Sequence, residues 1–122
     1  MIVEKFKYVI AYKKGTVYVG LSPLLNMSSH LDILDKVGLN NEDVYSAGFV
    51  SEIPSSLFCS GGYITIGRSD TLEKESKSSD IELIRKCVGN IDTYYKTVTN
   101  KLDIKIKVHQ IHIIEYETMG SK

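Results

Sequence analysis

The stretch YITIGRSDTLEKESKSSD, residues Tyr63–Asp80, is the one around which the rest of the chain is organised. Alternating apolar residues predict a strand over residues 63–67, and a tight polar break follows it. Arg68, one of only two arginines in the chain, lies in that break. Serines then accumulate where a helix is expected to begin, near Ser79. The stretch therefore predicts a strand, a loop and a helix N-terminus close together in space.

Before this stretch the apolar pattern predicts three strands and one short helix. The helix should begin after Ser29 and end at Gly38, which suits a left-handed stop. The predicted elements are a hairpin of strands 3–12 and 16–21, the helix His30–Val37 and the strand Val44–Ile53. Glycines within residues 57–67 then indicate a bent strand or two short ones.

After this stretch the pattern predicts a long helix and a final strand. Apolar residues recur at spacings of three and four through residues 80–98, so one helix is expected to continue across Gly89-Asn90. Ser79 and Glu82 match a capping box at its start. Alternation predicts a last strand over residues 102–116, with a bulge at His109-Gln110 where the apolar phase slips.

These elements predict a single α+β domain over residues 1–122, with 116–122 as a frayed tail. We expect a mainly antiparallel sheet of about five strands packed against one long and one short helix. The long helix should cover one face of the sheet, and the short helix is a further candidate for that face.

Composition limits the classes of function. Lysine and arginine together number 15, as do aspartate and glutamate, so the formal net charge is zero. No global field therefore draws the chain to a nucleic acid polymer or a membrane surface, and no apolar run approaches the roughly 20 residues of a membrane span. Cys59 and Cys87 fit no disulfide framework, which indicates a reducing, cytoplasmic location. The three histidines, His30, His109 and His112, form no zinc pattern, and we expect no metal or cofactor.

The candidate site is an anion-binding pocket at the predicted helix N-terminus. Unpaired N–H groups and the positive end of the helix dipole suit a phosphate or carboxylate, and an arginine fork can bind it in a bidentate manner. The residues expected to contribute are Arg68, Ser69, Thr71, Ser76, Lys77, Ser78 and Ser79. The alternative is that the hydroxyls only cap the helix and fix the loop, with Arg68 paired to Asp70 or Asp80.

Two short motifs carry a resemblance to a known family. A Ser-Ala-Gly-Phe strand, residues 46–49, is followed by a Gly-x-Ser-x-Thr-Leu turn and a Ser-Lys-x-x-Asp helix start, residues 67–72 and 76–80. Over residues 44–85 the chain resembles a family of small, mostly uncharacterised phage and prophage proteins. Other members often have Arg-Pro-Glu where this chain has Lys77-Ser78-Ser79. The resemblance implies a phage protein acting in the host cytosol, in counter-defence or host modulation, and supplies no catalytic residues.

Three functions follow as hypotheses. The first is a binding protein that sequesters a small anionic ligand, a nucleotide immune signal of the host, without chemistry. In that case Arg68 should contact the ligand, and Arg68→Ala should weaken binding by about one to two decades. The second is an interaction protein that modulates a host or phage protein. The third is an enzyme that cleaves a nucleotide with His30, His109 or His112.

We also expect a homo-oligomer. A long C-terminal strand would otherwise leave an exposed edge, and Tyr94 and Tyr95 cannot share one buried face of a helix.

Overall fold

The structure of the chain, a computed structural model, describes residues 2–24, 27–56, 60–100 and 110–115. The described residues form seven strands and three α-helices, together with a short 3₁₀ turn, Asn41–Asp43. In chain order they are β1 (Val3–Lys13), β2 (Thr16–Pro23), α1 (His30–Val37), β3 (Val44–Ile53), β4 (Gly62–Ile66), β5 (Arg68–Ser69), β6 (Lys74–Glu75), α2 (Asp80–Val88), α3 (Ile91–Asn100) and β7 (Gln110–Glu115).

Five of the strands form one antiparallel sheet in the order β4-β3-β1-β2-β7. The first hairpin is confirmed: Lys14 and Gly15 adopt positive φ angles of 53° and 79°, as a tight turn between twisted strands requires. The short helix and β3 are confirmed at their predicted bounds. The α+β class and the five-stranded antiparallel sheet are therefore as the sequence predicts.

Helices cover both faces of this sheet rather than one. On the first face Phe6, Tyr8 and Ile10 pack with residues of β2 and beneath α2 and α3, and we call it the α2–α3 face. On the opposite face Val9 and Ala47 pack beneath α1, and we call it the α1 face. The expectation that the short helix could join the long one on a single face is therefore wrong.

A glycine in β2 explains where α1 sits. Gly20 lies opposite Val9 in the sheet and faces α1. A Cβ atom at Gly20 would lie 2.5 Å from Cγ2 of Ile33, so the missing side chain is what lets the helix approach. This close contact fixes α1 on its own face of the sheet.

The prediction of one helix over residues 80–98 is wrong. Gly89, at φ 74°, ends α2 and donates its N–H to the carbonyl of Arg85 at 2.8 Å. Asn90 then caps α3, since its Oδ1 accepts from the N–H of Thr93 at 2.9 Å. The apolar spacing continues through this break because both helices bury residues in the same core, and periodicity alone therefore did not reveal it.

The last strand is partly described. β7 pairs with β2 over Gln110–Glu115, within the predicted strand 102–116. Residues 102–109 of the predicted strand, which include the His109 half of the predicted bulge, lie outside the described residues, as do the frayed tail 116–122 and residues 57–59 at the start of the bent strand. In the part of the chain that is described, no helix has the length and apolar character to cross a membrane.

Candidate functional site

The predicted loop after the β4 strand is a small hairpin rather than an open break. Arg68–Ser69 pairs with Lys74–Glu75, and the N–H of Ser76 returns to the carbonyl of Gly67 at 3.0 Å. Inside the turn, the Ser69 hydroxyl accepts from the N–H of Leu72 at 3.1 Å, and Leu72 is buried in the core of the α1 face. The hairpin is therefore anchored to the sheet by its own contacts.

Four of the predicted site residues belong to this hairpin, and each of them either contacts the protein itself or is exposed to solvent. Arg68 is half-exposed and pairs with Asp70, with 3.2 Å between Nε and Oδ1. Ser69 is fully buried, whereas Thr71 is exposed in the turn. Ser76 packs on β3: a Cβ atom added at Gly48 would lie only 2.8 Å from the Cβ atom of Ser76. The missing side chain of Gly48 therefore lets the hairpin approach β3 closely.

The predicted Ser79–Glu82 capping box at the start of α2 is wrong, and Asp80 instead holds the turn before the helix. Ser79 makes no capping hydrogen bond with its side chain. Instead Oδ2 of Asp80 accepts from the Tyr8 hydroxyl at 2.5 Å and from the N–H of Lys77 at 2.9 Å. Tyr8 lies fully buried on the central strand, and a buried phenol requires an acceptor. Burial and the Asp80 carboxylate together raise the pKa of Tyr8 far above its usual range.

Much of the predicted anion pocket is therefore occupied by the protein's own groups. The N–H groups of Asp80 and Glu82 donate to the carbonyls of Lys77 and Ser79 at 3.0 and 3.2 Å. The Thr65 hydroxyl also donates to the carbonyl of Lys77, at 2.8 Å. The Asp80 carboxylate supplies the negative charge that the helix dipole favours at this end.

A cleft lies beside this helix start, on the α2–α3 face. Its volume is about 250 Å³, and two tyrosines stand at one side, with 4.8 Å between the ring centroids of Tyr12 and Tyr45 in a T-shaped arrangement. We call it the tyrosine cleft. The lining residues are Tyr12, Tyr45, Ser79, Asp80, Glu82, Leu83 and Lys86. Ser79, Leu83 and Lys86 lie on one side of α2 because they are four and three residues apart.

A lysine stands over the wall of the tyrosine cleft. The ammonium of Lys77 lies 4.7 Å from the ring centroid of Tyr45, which is 43% exposed. Lys77 forms no ion pair with any described residue, while Glu82 pairs with Arg85 at 3.0 Å. At this edge of the cleft Asp80 is buried and the exposed Glu82 carboxylate is paired with Arg85, which leaves the Lys77 ammonium as the charge without an ion-pair partner among the described residues.

The structure therefore divides the predicted site. Ser79 lines the tyrosine cleft, Lys77 stands over it, and Ser78 is exposed in the turn between them. The four hairpin residues do not line it. The sequence gives no signal that Tyr12 and Tyr45 meet, because they lie on different strands far apart in the chain.

A second surface lies at the open end of the α1 face. It is a groove of about 600 Å³, which we call the Ile66 groove, lined by Ile2, Val3, Glu4, Leu24, Ser51, Ile66 and Gly67. Ile2 and Ile66 are 47% and 40% exposed. The Ser51 hydroxyl is buried and has no hydrogen-bond partner among the described residues. Alternation in β3 did not single out this serine, since a hydroxyl is common on either face of a strand.

The candidate acid–base groups have ordinary roles where they are described. His30 is buried, with Nε2 2.8 Å from the carbonyl oxygen of Gly48, and burial lowers its pKa. The neutral ring therefore donates its Nε2–H to that oxygen. His109 is outside the described residues, as is the side chain of His112.

The remaining candidates for chemistry are metal ligands and the thiol of Cys87. The described residues contain no group of three or more His, Cys, Asp or Glu side chains that could hold a metal ion. Cys87 is a free, half-buried thiol, and burial raises its pKa to about 11. Such a thiol is unreactive at neutral pH because little of it is ionised.

Comparison of the chain with protein-family models, with curated proteins and with solved structures finds no match in any of the three. The resemblance to phage proteins therefore stays a prediction that rests on residues 44–85. Within the structure its motif positions have structural roles. Gly48, Gly67 and Ser76 allow the hairpin to approach β3, and Asp80 joins the helix start to β1. The motif thus encodes how the hairpin and α2 are placed.

Proposed function

We propose that the protein binds a small anionic ligand of the nucleotide class in the tyrosine cleft and holds it without chemical change. The observation that carries the proposal is the Lys77 ammonium placed over the exposed Tyr45 ring, beside the start of α2. This arrangement puts a cation, an aromatic wall and a hydroxyl together at one open cleft. Of these groups, Lys77 and Ser79 come from the predicted site.

Each group suits one part of a nucleotide. A base can stack on a tyrosine ring, a contact that contributes about 1–3 kcal/mol in proteins that bind single strands. The Lys77 ammonium and the Ser79 hydroxyl can donate to a phosphate, and Lys86 lies farther along the same side of α2. At about 250 Å³ the cleft is below the roughly 300–1,000 Å³ of enclosed ligand sites, so part of the ligand would stay in solvent.

The chemistry of the cleft favours binding over catalysis. The Asp80 carboxylate is held by Tyr8 and by the N–H of Lys77, so it is committed to the fold. Glu82 is paired with Arg85. Neither carboxylate is free to act as a general acid or base on a ligand in the cleft, because each is already engaged within the protein. Together with the resemblance, this supports sequestration of a nucleotide signal in a host cell.

The test uses mononucleotides and cyclic dinucleotides as probes. The protein is incubated with each, separated from free probe and denatured by heat, and the released material is identified by mass spectrometry. We expect at least one probe to be retained and released intact. Release of a cleaved product would indicate an enzyme, and retention of no probe would contradict the proposal.

A pair of lysine variants then locates the site by calorimetry. Lys77→Gln should weaken binding of the retained probe about 10- to 100-fold, because it removes a charge-assisted contact of roughly 1.5–3 kcal/mol. Lys74→Gln is the matched control: it makes the same charge change three residues away, outside the lining of the cleft. Equal losses in the two variants would mean that only the overall charge matters.

A second candidate function, docking of a protein partner, is favoured by the Ile66 groove. Apolar side chains at Ile2 and Ile66 are exposed around it, and the buried Ser51 hydroxyl has no hydrogen-bond partner in the part of the chain that the structure describes. A photo-reactive residue at position 2 should then give a recurrent protein adduct in expressing cells. The same residue at Leu31, which is 43% exposed on α1, is the control.

A further inference from the structure

The strand β4 forms one edge of the main sheet and carries no charge. It pairs with β3 on one side, and no other described strand pairs with its outer side. Its sequence, Gly-Tyr-Ile-Thr-Ile, contains neither a charged residue nor a proline. These are the features that natural edge strands use to prevent pairing with another chain, so β4 is open to strand addition.

Two contacts show which backbone groups point away from the sheet. The carbonyl oxygen of Ile66 faces β3, since a Cβ atom at Gly48 would lie 2.8 Å from it. The carbonyl oxygen of Tyr63 faces the other way, toward the Arg85 guanidinium at 3.5 Å. Because direction alternates along a strand, Tyr63 and Thr65 present their N–H and C=O groups at the outer edge.

We propose that a second copy of this chain pairs with that edge, β4 against β4 in antiparallel fashion, about a two-fold axis at Ile64. In this register Tyr63 of one copy exchanges two backbone hydrogen bonds with Thr65 of the other. Ile64 then faces Ile64 in a pair without hydrogen bonds, and Ile66 faces Gly62. The two sheets become one continuous sheet across the dimer.

The strand is complementary to itself in this register, which is the reason for choosing a second copy as the occupant. Tyr63 opposite Thr65 is an aromatic and β-branched pair of the kind that stabilises sheets, and no like charges meet. A Cβ atom at Gly62 would have no atom of the described residues within 4 Å, so this part of the chain leaves space for the exposed Ile66 side chain of the other copy. Arg85 gives up a long contact to Tyr63 and keeps its ion pair with Glu82 at 3.0 Å.

Light scattering tests the assembly. At micromolar concentration the wild-type chain should have twice the monomer mass of 13.7 kDa. Ile66→Lys should give a monomer, because it places a charge opposite Gly62 at both ends of the paired strands. Leu31→Lys, an equally exposed site on α1, is the control and should stay dimeric. A monomeric wild type, or a dimer that survives Ile66→Lys, would overturn the proposal.

A disulfide tests the register and does not depend on how well Ile66→Lys folds. In a Cys59→Ser, Cys87→Ser background, Ile64→Cys places two cysteines opposite each other, with Cα atoms about 4.5 Å apart, within disulfide range. It should form a covalent dimer on mild oxidation. Ile66→Cys is the control, since the two copies of residue 66 would be about 14 Å apart along the strands. Failure of Ile64→Cys to cross-link, or equal cross-linking of both variants, would rule out this pairing.

Discussion

The two helices α1 and α2 begin with the same local sequence signal, yet only α1 uses it. Each has a serine just before its first residue and an acidic residue three positions later. In α1 the Ser29 hydroxyl accepts from the N–H of Asp32 at 3.0 Å, and the Asp32 carboxylate accepts from the N–H of Ser29 at 2.9 Å. In α2 the Ser79 side chain makes no capping hydrogen bond, and the Asp80 carboxylate instead accepts from the N–H of Lys77 in the turn before the helix.

The difference comes from what lies beneath the first residue of each helix. His30 and Asp80 are both buried there. His30 makes its hydrogen bond through the ring to Gly48, which leaves the backbone of α1 to be capped locally. Asp80 reaches both the Tyr8 hydroxyl and the N–H of Lys77, so one carboxylate joins the helix to the sheet and fixes the turn before it.

A local cap therefore forms only where no buried group competes for it. Hydrogen bonds to a charged group contribute more than neutral ones, and more still away from water. Because the Ser79 hydroxyl is not used as a cap, it can donate to a ligand in the tyrosine cleft, which Ser79 lines.

The largest expected effect comes from removing the buried carboxylate. Asp80→Ala should lower the free energy of unfolding by about 3 kcal/mol, since it deletes two charge-assisted hydrogen bonds and leaves the Tyr8 hydroxyl buried without an acceptor. Asp32→Ala, the matched change at α1, should cost only about 1 kcal/mol. Urea denaturation of the two variants measures both. Equal losses would mean that the two helix starts are held in the same way.

A double variant sharpens this result. Tyr8→Phe should cost much less in the Asp80→Ala background than in the wild type, because its hydroxyl has already lost its partner. Additive losses would show that Tyr8 and Asp80 are not coupled.

For the two serines we expect the opposite ranking: the substitution at α1 should destabilise the fold more than the substitution at α2, and both losses should be smaller than that of Asp80→Ala. Ser29→Ala should destabilise the fold by about 1 kcal/mol, which is typical of a lost N-cap. Ser79→Ala should change the free energy of unfolding by less than about 0.5 kcal/mol, as for an exposed side chain without a structural contact. Thermal or urea melts of the pair check the difference, and a cost at Ser79 that matches Ser29 would contradict the description of α2.

The smallest expected effect is a dependence of the free energy of unfolding on pH, caused by His30 at the start of α1. Burial lowers the pKa of His30, so between its folded and unfolded pKa values the unfolded chain binds the extra proton. Stability should therefore fall as the pH drops below the unfolded value of about 6.5. The charges that act on His30 are those of Lys7 and Asp70. Melts at pH 7.5 and 6 should show this loss in the wild type and a smaller one in His30→Gln.

Local sequence patterns predict those elements whose formation depends mainly on residues close together in the sequence. Strand alternation and the α1 caps needed only neighbours in the sequence, and those elements appear where expected. The sequence predicts one helix through Gly89-Asn90, where the structure has two, because the apolar spacing of three and four residues continues across the two-residue break. For the candidate site, the pairing of Arg68 with Asp70 is one of the alternatives that the sequence offers, whereas the burial of Ser69 and the meeting of Tyr12 with Tyr45 depend on how the hairpin and α2 fold back on the sheet.

The most direct test compares the two cations that the sequence placed in one site. Calorimetry with the retained nucleotide probe is performed on Arg68→Ala and on Lys77→Gln. Arg68 already pairs with Asp70 and does not line the tyrosine cleft, so its loss should change the affinity by less than about threefold. Lys77→Gln should weaken binding by the one to two decades of a lost charge-assisted contact. A large loss in Arg68→Ala with unchanged affinity in Lys77→Gln would return the ligand to the hairpin and contradict the tyrosine cleft as its site.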